Sequence, residues 1–292
     1  MTKSIILEPK GPYDLALSLR AIAGFGTETR EEPDLYRAAV RVGGKPCLMQ
    51  VREASRKPLR LEATFQPAQP PAKMRETAEW IMHTDLDLRR FYRLVRERPV
   101  VGPIAKSLYG LKAMRTASLF VMAVTAITEQ QISLAAAYSI RQRMIERYGE
   151  PVDGLWAFPS PEALAALSIK DLKDCGLSGR KAEYIIGLSQ RIVEGSLELD
   201  EMKSMSDEDA RNFCMAIRGL GPWAADYLLI RGLGRADVVP AEDLGLQKLI
   251  GFYMGNGERM TTPQVREAMM PLAPYRGLAA FYLMVDYRLN HR

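Results

Sequence analysis

Two aromatic residues and one carboxylate stand out within a short stretch of the chain, Ile217–Ile250 (IRGLGPWAADYLLIRGLGRADVVPAEDLGLQKLI). Trp223 and Tyr227 are four residues apart, so they share one face of a helix. Asp243 opens the next helix, where an acidic residue normally acts as a cap that the helix dipole favours. Aromatic pairs usually belong to the core, but they can also stack on a cation, and a fixed carboxylate can stabilise positive charge or accept a proton. Both interpretations, packing with a cap or a chemical site, fit these residue types.

A glycine turn directly precedes the aromatic pair. In the segment Gly219–Gly221 (GLG), two glycines flank one apolar residue, and a helix follows at once. Exposed amides at such a helix N-terminus bind phosphate without regard to nucleotide sequence, although ordinary helix–turn–helix hairpins have the same pattern. The segment Gly176–Tyr184 (GLSGRKAEY) repeats the pattern of Gly219–Tyr227 (GLGPWAADY), which supports a second glycine turn that enters a helix.

The chain has few residues that could bind a metal ion or carry out thiol chemistry. Cys47, Cys175 and Cys214 are far apart without a C-x-x-C pair, and the two histidines are His83 and His291. Zinc and iron–sulfur sites need more closely grouped thiolates or histidines, so we expect the cysteines to be free core residues. The scarcity of histidine also argues against a Ser-His-Asp hydrolase and against a zinc deaminase.

The overall composition narrows the class of protein. The chain has 292 residues, which can form two domains of ordinary size or one large one, and 47% of them are hydrophobic, enough for a substantial core. It lacks the apolar runs of ~18 residues that membrane helices need, and its first residues lack the features of a signal peptide. We therefore expect a soluble intracellular protein without a membrane partner. A net charge of +5 and a pI of about 9.0 suit a partner that carries phosphates, although many basic proteins bind no nucleic acid.

The first seventy residues predict a small sheet. Four short segments are β-rich or alternate in polarity, as strands do, and the segment between the first two has the apolar residues of a helix. A proline-rich break, Gln66–Ala72 (QPAQPPA), follows. The predicted strands are Ser4–Leu7, Leu35–Val42, Pro46–Val51 and Leu59–Phe65, and the predicted helix is Pro12–Ala23.

From Lys73 onward the pattern is helical. Ser160 before Pro161 and Thr262 before Pro263 predict helix starts, with a cap ahead of a proline in the first turn. The fold class is therefore α+β, with a small N-terminal antiparallel sheet under helical cover followed by an all-α region. The predicted long helices are Lys73–His83, Ala117–Thr128, Leu134–Tyr148, Arg180–Glu194, Trp223–Gly232 and Leu278–Leu289.

The combination of glycine turn, aromatic pair and following aspartate resembles the helix-hairpin-helix DNA glycosylase superfamily. Within it, GPWAADYLLIRGLGRADVVPAEDLGL is most similar to the 3-methyladenine DNA glycosylase II branch. The resemblance extends through GLSGRKAEYIIGLSQRIVEG and AITEQQISLAAAYSIRQRMIERYG and, more weakly, PYDLALSLRAIAGFG. It implies a repair enzyme that flips alkylated bases of the 3-methyladenine type out of duplex DNA and hydrolyses the N-glycosidic bond.

The resemblance also implies the domain organisation. Residues 1–70 are expected to form a TATA-binding-protein-like domain. Residues 71–292 are expected to form two helical subdomains with the hairpin near residues 206–232. DNA would be held by the hairpin residues Gly219, Leu220 and Gly221.

The resemblance assigns the catalytic role to Asp243, which directly precedes a Leu-Gly-Leu segment at the helix start. The acidic neighbours Asp237 and Glu242 have no such role. Bifunctional members of the superfamily place a nucleophilic lysine just after the hairpin, and Trp223 occupies that position here. We therefore expect hydrolysis without a Schiff-base lyase step.

Further residues are assigned by the same resemblance. Trp223, Tyr227 and Tyr275 correspond to aromatics of the base pocket, where electron-rich rings attract cationic alkylated bases. Gln131 corresponds to the residue that wedges into the duplex, with Ile132 beside it as the apolar alternative. No cofactor is implied for catalysis, but a structural sodium or potassium ion is implied at the hairpin, held by the backbone carbonyls of Met215, Ile217 and Gly219.

The implied partner is damaged double-stranded DNA, bound by a monomer. Two alternatives remain at this point. One is a glycosylase for another lesion, such as hypoxanthine or an oxidised or alkylated pyrimidine. The other is a non-catalytic helix-hairpin-helix protein, in which Asp243 is a cap and the aromatic pair belongs to the core.

Overall fold

The N-terminal part of the chain is an antiparallel sheet. The computed structural model describes residues 3–22, 29–32 and 34–291. The strands are β1 (Lys3–Leu7), β2 (Thr29–Glu32), β3 (Leu35–Val42), β4 (Lys45–Arg56) and β5 (Leu59–Gln66), in the order β1-β5-β4-β3-β2. The four predicted strands are confirmed, whereas β2 was not predicted. Ala23, at the end of the predicted first helix, lies outside the described residues.

Helices cover one face of this sheet. Leu61, Ala63 and Phe65 alternate along β5 and are fully buried, as expected when one face of a strand meets the core. They pack against apolar residues of α1 (Leu15–Ile22) and α2 (Pro71–Met82). The helical part of the chain therefore begins with a helix that completes the core of the sheet, and the domain boundary at residue 70 stays a prediction.

The remainder is mainly helical, which confirms the α+β class. The predicted long helices before residue 200 match observed ones closely, as does the C-terminal helix. After α2, the helices are α3 (Arg89–Val95), α4 (Val101–Ser107), α5 (Leu119–Glu129), α6 (Leu134–Tyr148), α7 (Pro161–Ala165), α8 (Ile169–Asp174), α9 (Gly179–Val193), α10 (Asp207–Met215), α11 (Pro222–Tyr227), α12 (Leu244–Met254), α13 (Thr262–Met269) and α14 (Arg276–Asn290). Short 3₁₀ turns occupy Leu199–Ser204 and Met270–Leu272.

A short hairpin that the sequence did not predict interrupts the helices. Strands β6 (Glu150–Val152) and β7 (Leu155–Ala157) pair with each other. Leu155 and Ala157 are buried against Ala39 and Leu48 of the sheet, and Arg41 pairs with Glu150 at 2.7 Å. The hairpin thus joins the helical part to the sheet by apolar packing and by charge.

The helices form two hydrophobic cores. The first gathers apolar residues of helices α5 to α11. The second gathers residues of α3, α4, α12, α13 and α14. The aromatic residues Trp223 and Tyr227 pack against the first core, whereas Ala241 and Leu246, which flank Asp243, belong to the second. The candidate residues therefore lie where the two cores meet.

Two predicted helix boundaries need correction. The cap of α13 is Thr261 rather than Thr262, and the backbone N–H of Thr261 donates to Oε1 of Gln264 at 2.8 Å. The predicted helix Trp223–Gly232 is α11 followed by a π turn over Leu228–Gly232. Such π turns often lie at functional sites because they shift the side chains that follow them.

The cysteines are free and buried, as predicted. Burial raises the pKa of Cys47 to about 11 and that of Cys214 to about 12, so both thiols stay protonated at neutral pH. Within the described part of the chain, no helix combines the length and apolar character needed to cross a membrane.

His83 is a buried titratable group that joins the sheet's helical cover to the rest of the chain. It ends α2 in the left-handed conformation, with φ 51°, and is 3% exposed. Its Nδ1 lies 2.7 Å from the carbonyl oxygen of Ala113, so the neutral ring donates from Nδ1. Burial, followed by the charge of Arg115, lowers the pKa of His83 to about 4.

We expect His83 to make the protein acid-sensitive. In the unfolded chain a histidine titrates near pH 6.5, so the unfolded state binds the proton first as the pH falls from about 6.5 to about 4. Stability is therefore present above this window and is lost within it, by about 2 kcal/mol at pH 5. His83→Asn keeps a donor and tolerates positive φ, and urea unfolding at pH 7 and pH 5 should show a smaller pH effect than in the wild type. The matched control His291→Asn, at an exposed histidine, should keep the wild-type pH effect, and an equal effect in all three proteins would contradict the prediction.

Candidate active site

The carboxylate of Asp243 is fixed by donors on both of its oxygens. Asp243 is the cap of α12, and its Oδ1 accepts the backbone N–H of Leu246 at 2.8 Å. Its Oδ2 accepts the indole N–H of Trp223 at 2.7 Å. The side chain is half-buried. Asp243 is therefore a helix cap, as its position predicts, but a cap needs no contact with Trp223.

The aromatic pair stands beside this carboxylate. The ring centroids of Trp223 and Tyr227 are 4.3 Å apart, with an interplanar angle of 31°. Burial, and then the negative charge of Asp243, raises the pKa of Tyr227, so its hydroxyl stays protonated. The structure thus brings three predicted residues together, and it adds a hydrogen bond that spacing alone does not predict.

The third predicted aromatic residue lies in a neighbouring cleft. Tyr275 precedes α14, and its ring meets Phe91 edge-on with centroids 5.9 Å apart. It lines a cleft of about 730 Å³. Trp80 lines this cleft as well, and the cationic groups of Arg115 and Lys203 each lie 4.6 Å from the centroid of its ring. Among the described residues, the ring partner of Tyr275 is therefore Phe91 rather than Trp223 or Tyr227.

The acidic neighbours of Asp243 are paired with arginines. Asp237 forms an ion pair with Arg276 at 2.6 Å, and Glu242 lies 3.7 Å from Arg266. The carboxylate of Asp243, by contrast, accepts hydrogen bonds from a backbone N–H and an indole N–H, which are uncharged donors and do not neutralise its charge. Its negative charge therefore remains available at the site.

The hairpin consists of α10, the turn at residues 216–221 and α11. Leu220 is buried, and its N–H donates to the carbonyl of Ile217 at 3.0 Å. Gly219 has φ +98°, and a Cβ there would lie 2.6 Å from the ring of Tyr184, so the position requires glycine. Within the described residues, the N–H groups of Gly219 and Gly221 donate to no backbone carbonyl outside the helices, which leaves them for an external acceptor.

The predicted wedge residues are exposed. Gln131 lies between α5 and α6 with φ 55°, and Ile132 is 38% exposed. Gln130, which the sequence did not single out, donates from Nε2 to the carbonyl of Gly219 at 2.9 Å. The loop and the hairpin are therefore in contact.

Two of the carbonyls predicted to hold a cation, those of Ile217 and Gly219, belong to the same turn, and the third, that of Met215, ends α10. Those of Ile217 and Gly219 each accept one N–H, from Leu220 and from Gln130. A carbonyl oxygen has two lone pairs, so each retains one, and oxygen is the ligand that hard cations prefer. The described residues contain no cluster of three histidine, cysteine or carboxylate side chains that could hold a metal ion.

This arrangement can stabilise a cation. A carboxylate held by two N–H groups cannot turn away from a charge that develops in front of it, and such preorganised groups are the most effective in catalysis. The adjoining rings offer their faces to a flat cationic group. The free amides of the hairpin suit a phosphate.

The chain is similar to known base excision repair proteins. The family model of the HhH-GPD superfamily of base excision DNA repair proteins matches residues 124–274. A DNA-3-methyladenine glycosylase of Bacillus subtilis is 32% identical over 209 residues, which cover 70% of this chain and 69% of the relative. A putative DNA-3-methyladenine glycosylase of the same organism is 38% identical over 157 residues, which cover 54% of this chain and about half (55%) of the relative. A solved structure, a 3-methyladenine DNA glycosylase from Archaeoglobus fulgidus, has the same fold, with a TM-score of 0.86 over 98% of this chain and 99% of its own at 24% identity.

Alanine substitution at the two glycines of the hairpin should have unequal effects on the free energy of unfolding. Gly219→Ala places a Cβ against the Tyr184 ring in a backbone conformation that disfavours side chains, and we expect a loss of roughly 2–4 kcal/mol in the free energy of unfolding. Gly221→Ala has open space and a φ of −84°, so its stability should stay within about 0.5 kcal/mol of the wild type. Urea unfolding of both variants measures the difference. Equal stabilities would show that Tyr184 does not constrain the turn.

Proposed function

Because the chain belongs to the HhH-GPD superfamily of base excision DNA repair proteins, we propose that it is a DNA glycosylase that removes alkylated bases by hydrolysis at Asp243. The observation that supports this most directly is the hydrogen bond between Trp223 and Asp243, beside the stacked Tyr227. It joins the aromatic pair and the carboxylate into one site at the junction of two helical cores. A purely structural cap would leave this contact unexplained.

The proposed reaction uses the charge of the damaged base. Alkylation at N3 or N7 makes a purine cationic, so the base leaves with the electron pair of the N-glycosidic bond and becomes neutral. Positive charge then develops on the sugar as an oxocarbenium ion, which the carboxylate of Asp243 stabilises. Water attacks the anomeric carbon and loses a proton to Asp243 or to solvent. The indole N–H of Trp223 keeps the carboxylate in place through both steps.

The aromatic pair is the proposed pocket for the extruded base. Stacking of a cationic base on Trp223 and Tyr227 contributes roughly 0.5–2 kcal/mol per contact. The protonated hydroxyl of Tyr227 also offers a hydrogen-bond donor. Tyr275 contributes, in this proposal, from the neighbouring cleft rather than from the stack itself.

We propose that the enzyme is monofunctional. A lyase step needs an amine that attacks the sugar, and the position just after the glycine turn, where a lysine would stand, is Trp223. Borohydride reduction during turnover tests this point, because it traps any Schiff base as a covalent enzyme–DNA adduct. A trapped adduct would show that some lysine acts as a nucleophile.

DNA is the proposed partner of the hairpin and of the loop beyond α5. The amides of Gly219 and Gly221 would bind the phosphate backbone, which positions the protein without reading sequence. Gln131, with Ile132 beside it, would fill the space that the flipped base leaves. We propose that the protein acts as a monomer. Analytical ultracentrifugation of the free protein and of its DNA complex would test this state.

A sodium or potassium ion at the hairpin is a further proposal. The carbonyls of Met215, Ile217 and Gly219 would hold it, and its charge would favour a DNA phosphate nearby. DNA-binding titrations in sodium or potassium chloride and in tetramethylammonium chloride, at one ionic strength, test the proposal. Equal affinities in all three salts would contradict it.

The central prediction concerns Asp243→Asn. Asparagine still caps a helix, so the protein should fold, but the negative charge that stabilises the oxocarbenium ion is gone. We expect release of 3-methyladenine from methylated duplex DNA to fall at least 100-fold, with DNA binding nearly unchanged. Chromatography of the released bases and a DNA-binding titration measure the two effects.

The matched control is Glu242→Gln, which removes an exposed carboxylate one residue away. It should retain most of the wild-type rate. An Asp243→Asn enzyme with more than about a tenth of wild-type activity would remove Asp243 from the proposed role. Release of hypoxanthine or an alkylated pyrimidine in place of 3-methyladenine would change the substrate but keep the site.

A further inference from the structure

The loop that carries the proposed wedge has a strained backbone. We call residues 130–133, between α5 and α6, the wedge loop. Gln131 within it has φ 55°, a conformation that costs a non-glycine residue of order 1 kcal/mol. The side chains of Gln131 and Ile132 are exposed. Such a loop keeps one conformation only where its surroundings hold it.

The side chain of Lys181 holds the base of the wedge loop. Lys181 lies in the first turn of α9, and its Nζ donates to the carbonyl of Thr128 at 2.9 Å and to that of Gln130 at 2.6 Å. These carbonyls lie at the C-terminal end of α5, where the last carbonyl groups have no N–H partner within the helix. A positive charge at this end also interacts favourably with the helix dipole. Burial lowers the pKa of Lys181, as expected for an amine held against main chain rather than water.

Gln130 joins the wedge loop to the hairpin. Its Nε2 donates to the carbonyl of Gly219 at 2.9 Å, although the two residues are 89 positions apart. Gly219 in turn rests on the ring of Tyr184. Tyr184 follows Lys181 by three residues and so lies on the same side of α9. The start of α9 therefore contacts both the wedge loop and the hairpin.

A buried ion pair fixes the other side of the wedge loop. Nη1 of Arg141, on α6, lies 2.9 Å from Oε1 of Glu129, and both side chains are almost fully buried. Breaking one partner of such a pair leaves an uncompensated charge. The ion pair therefore joins the two helices that flank the wedge loop, and Lys181 joins the end of α5 to α9.

We infer that Lys181 is a positioning residue for base extrusion, which fixes the wedge loop relative to the hairpin so that phosphate binding and wedge insertion occur in one rigid frame. The inference rests on the proposed function. Its physical basis is that a wedge works only against a fixed point: if the loop yields, the duplex re-stacks instead of releasing the base. Lys181 acts through the main chain of Thr128 and Gln130 and touches no reacting atom in this role.

The test is Lys181→Met, which keeps an unbranched side chain only one atom shorter and removes both hydrogen bonds. The first readout is the fluorescence of a duplex with 2-aminopurine beside an abasic-site analogue, which rises when a wedge unstacks the bases and needs no bond cleavage. At saturating protein we expect the rise to fall to less than half of the wild-type value. Binding of undamaged duplex should change less than about twofold, because the hairpin amides remain. The rate of base release should fall about tenfold, mainly in kcat, as expected when charge-assisted hydrogen bonds are lost.

Two further variants separate positioning from general effects. Lys170→Met removes one exposed positive charge from α8 and should match the wild type in every readout. Lys181→Arg keeps a cation that can donate to two carbonyls and should recover at least half of the lost fluorescence. An equal loss in Lys170→Met would assign the effect to net charge and overturn the inference.

The remaining outcomes are equally distinct. If Lys181→Met does not fold, Gln130→Met removes only the link to Gly219 and should lower the fluorescence rise in the same direction. A full fluorescence rise in a folded Lys181→Met protein overturns the inference and leaves the proposed function standing. If Lys181→Met does not fold, a full rise in Gln130→Met has the same meaning. Wild-type protein that binds damaged DNA but releases no base from any lesion overturns the proposed function instead.

Discussion

The hydrogen bond from the indole of Trp223 to the carboxylate of Asp243 is the interaction on which the site depends. Trp223 belongs to the first helical core and Asp243 begins a helix of the second. The bond therefore fixes the distance between the two cores at the point where the chemistry is proposed. Because the other oxygen of the same carboxylate caps α12, neither the charge nor the aromatic pair can move without the other. A group held in this way has no reorganisation to undergo when charge develops on a substrate.

The hairpin and the wedge loop are also held by a few specific contacts. Gly219 has no side chain, so Tyr184 can lie directly beneath the turn, and the carbonyl oxygen of Gly219 accepts a hydrogen bond from Nε2 of Gln130. Lys181 supplies hydrogen bonds to the end of α5 from the same helix that carries Tyr184. Hydrogen bonds to backbone carbonyls thus define the geometry of the surface that we propose binds DNA. This suits a protein that must bind any sequence and find a damaged base within it.

Much of the fold could be predicted because local spacing carries it. Strands with alternating burial and helices with a clear apolar face were found at nearly the right residues, since their patterns do not depend on the rest of the chain. The missed elements are those that depend on distant partners. Strand β2 exists by pairing with β3, and the β6–β7 hairpin is packed against the sheet through Ala39 and Leu48. The cap of α13 shifted by one residue because Thr261 and Thr262 are chemically equivalent and only the contact with Gln264 distinguishes them.

For the candidate site, the sequence by itself determined which residues share a helix face and which acidic residue begins a helix. Trp223 and Tyr227 are adjacent by helical periodicity, and Asp243 is a cap by its position, so each needs contacts from its own segment alone. Tertiary structure decided that the indole reaches the carboxylate, that Tyr275 faces another cleft, and that Lys181 and Gln130 brace the wedge loop. These contacts join segments that are far apart in the chain or lie in different cores. Their distances follow from how the helices pack, which no spacing along the sequence encodes.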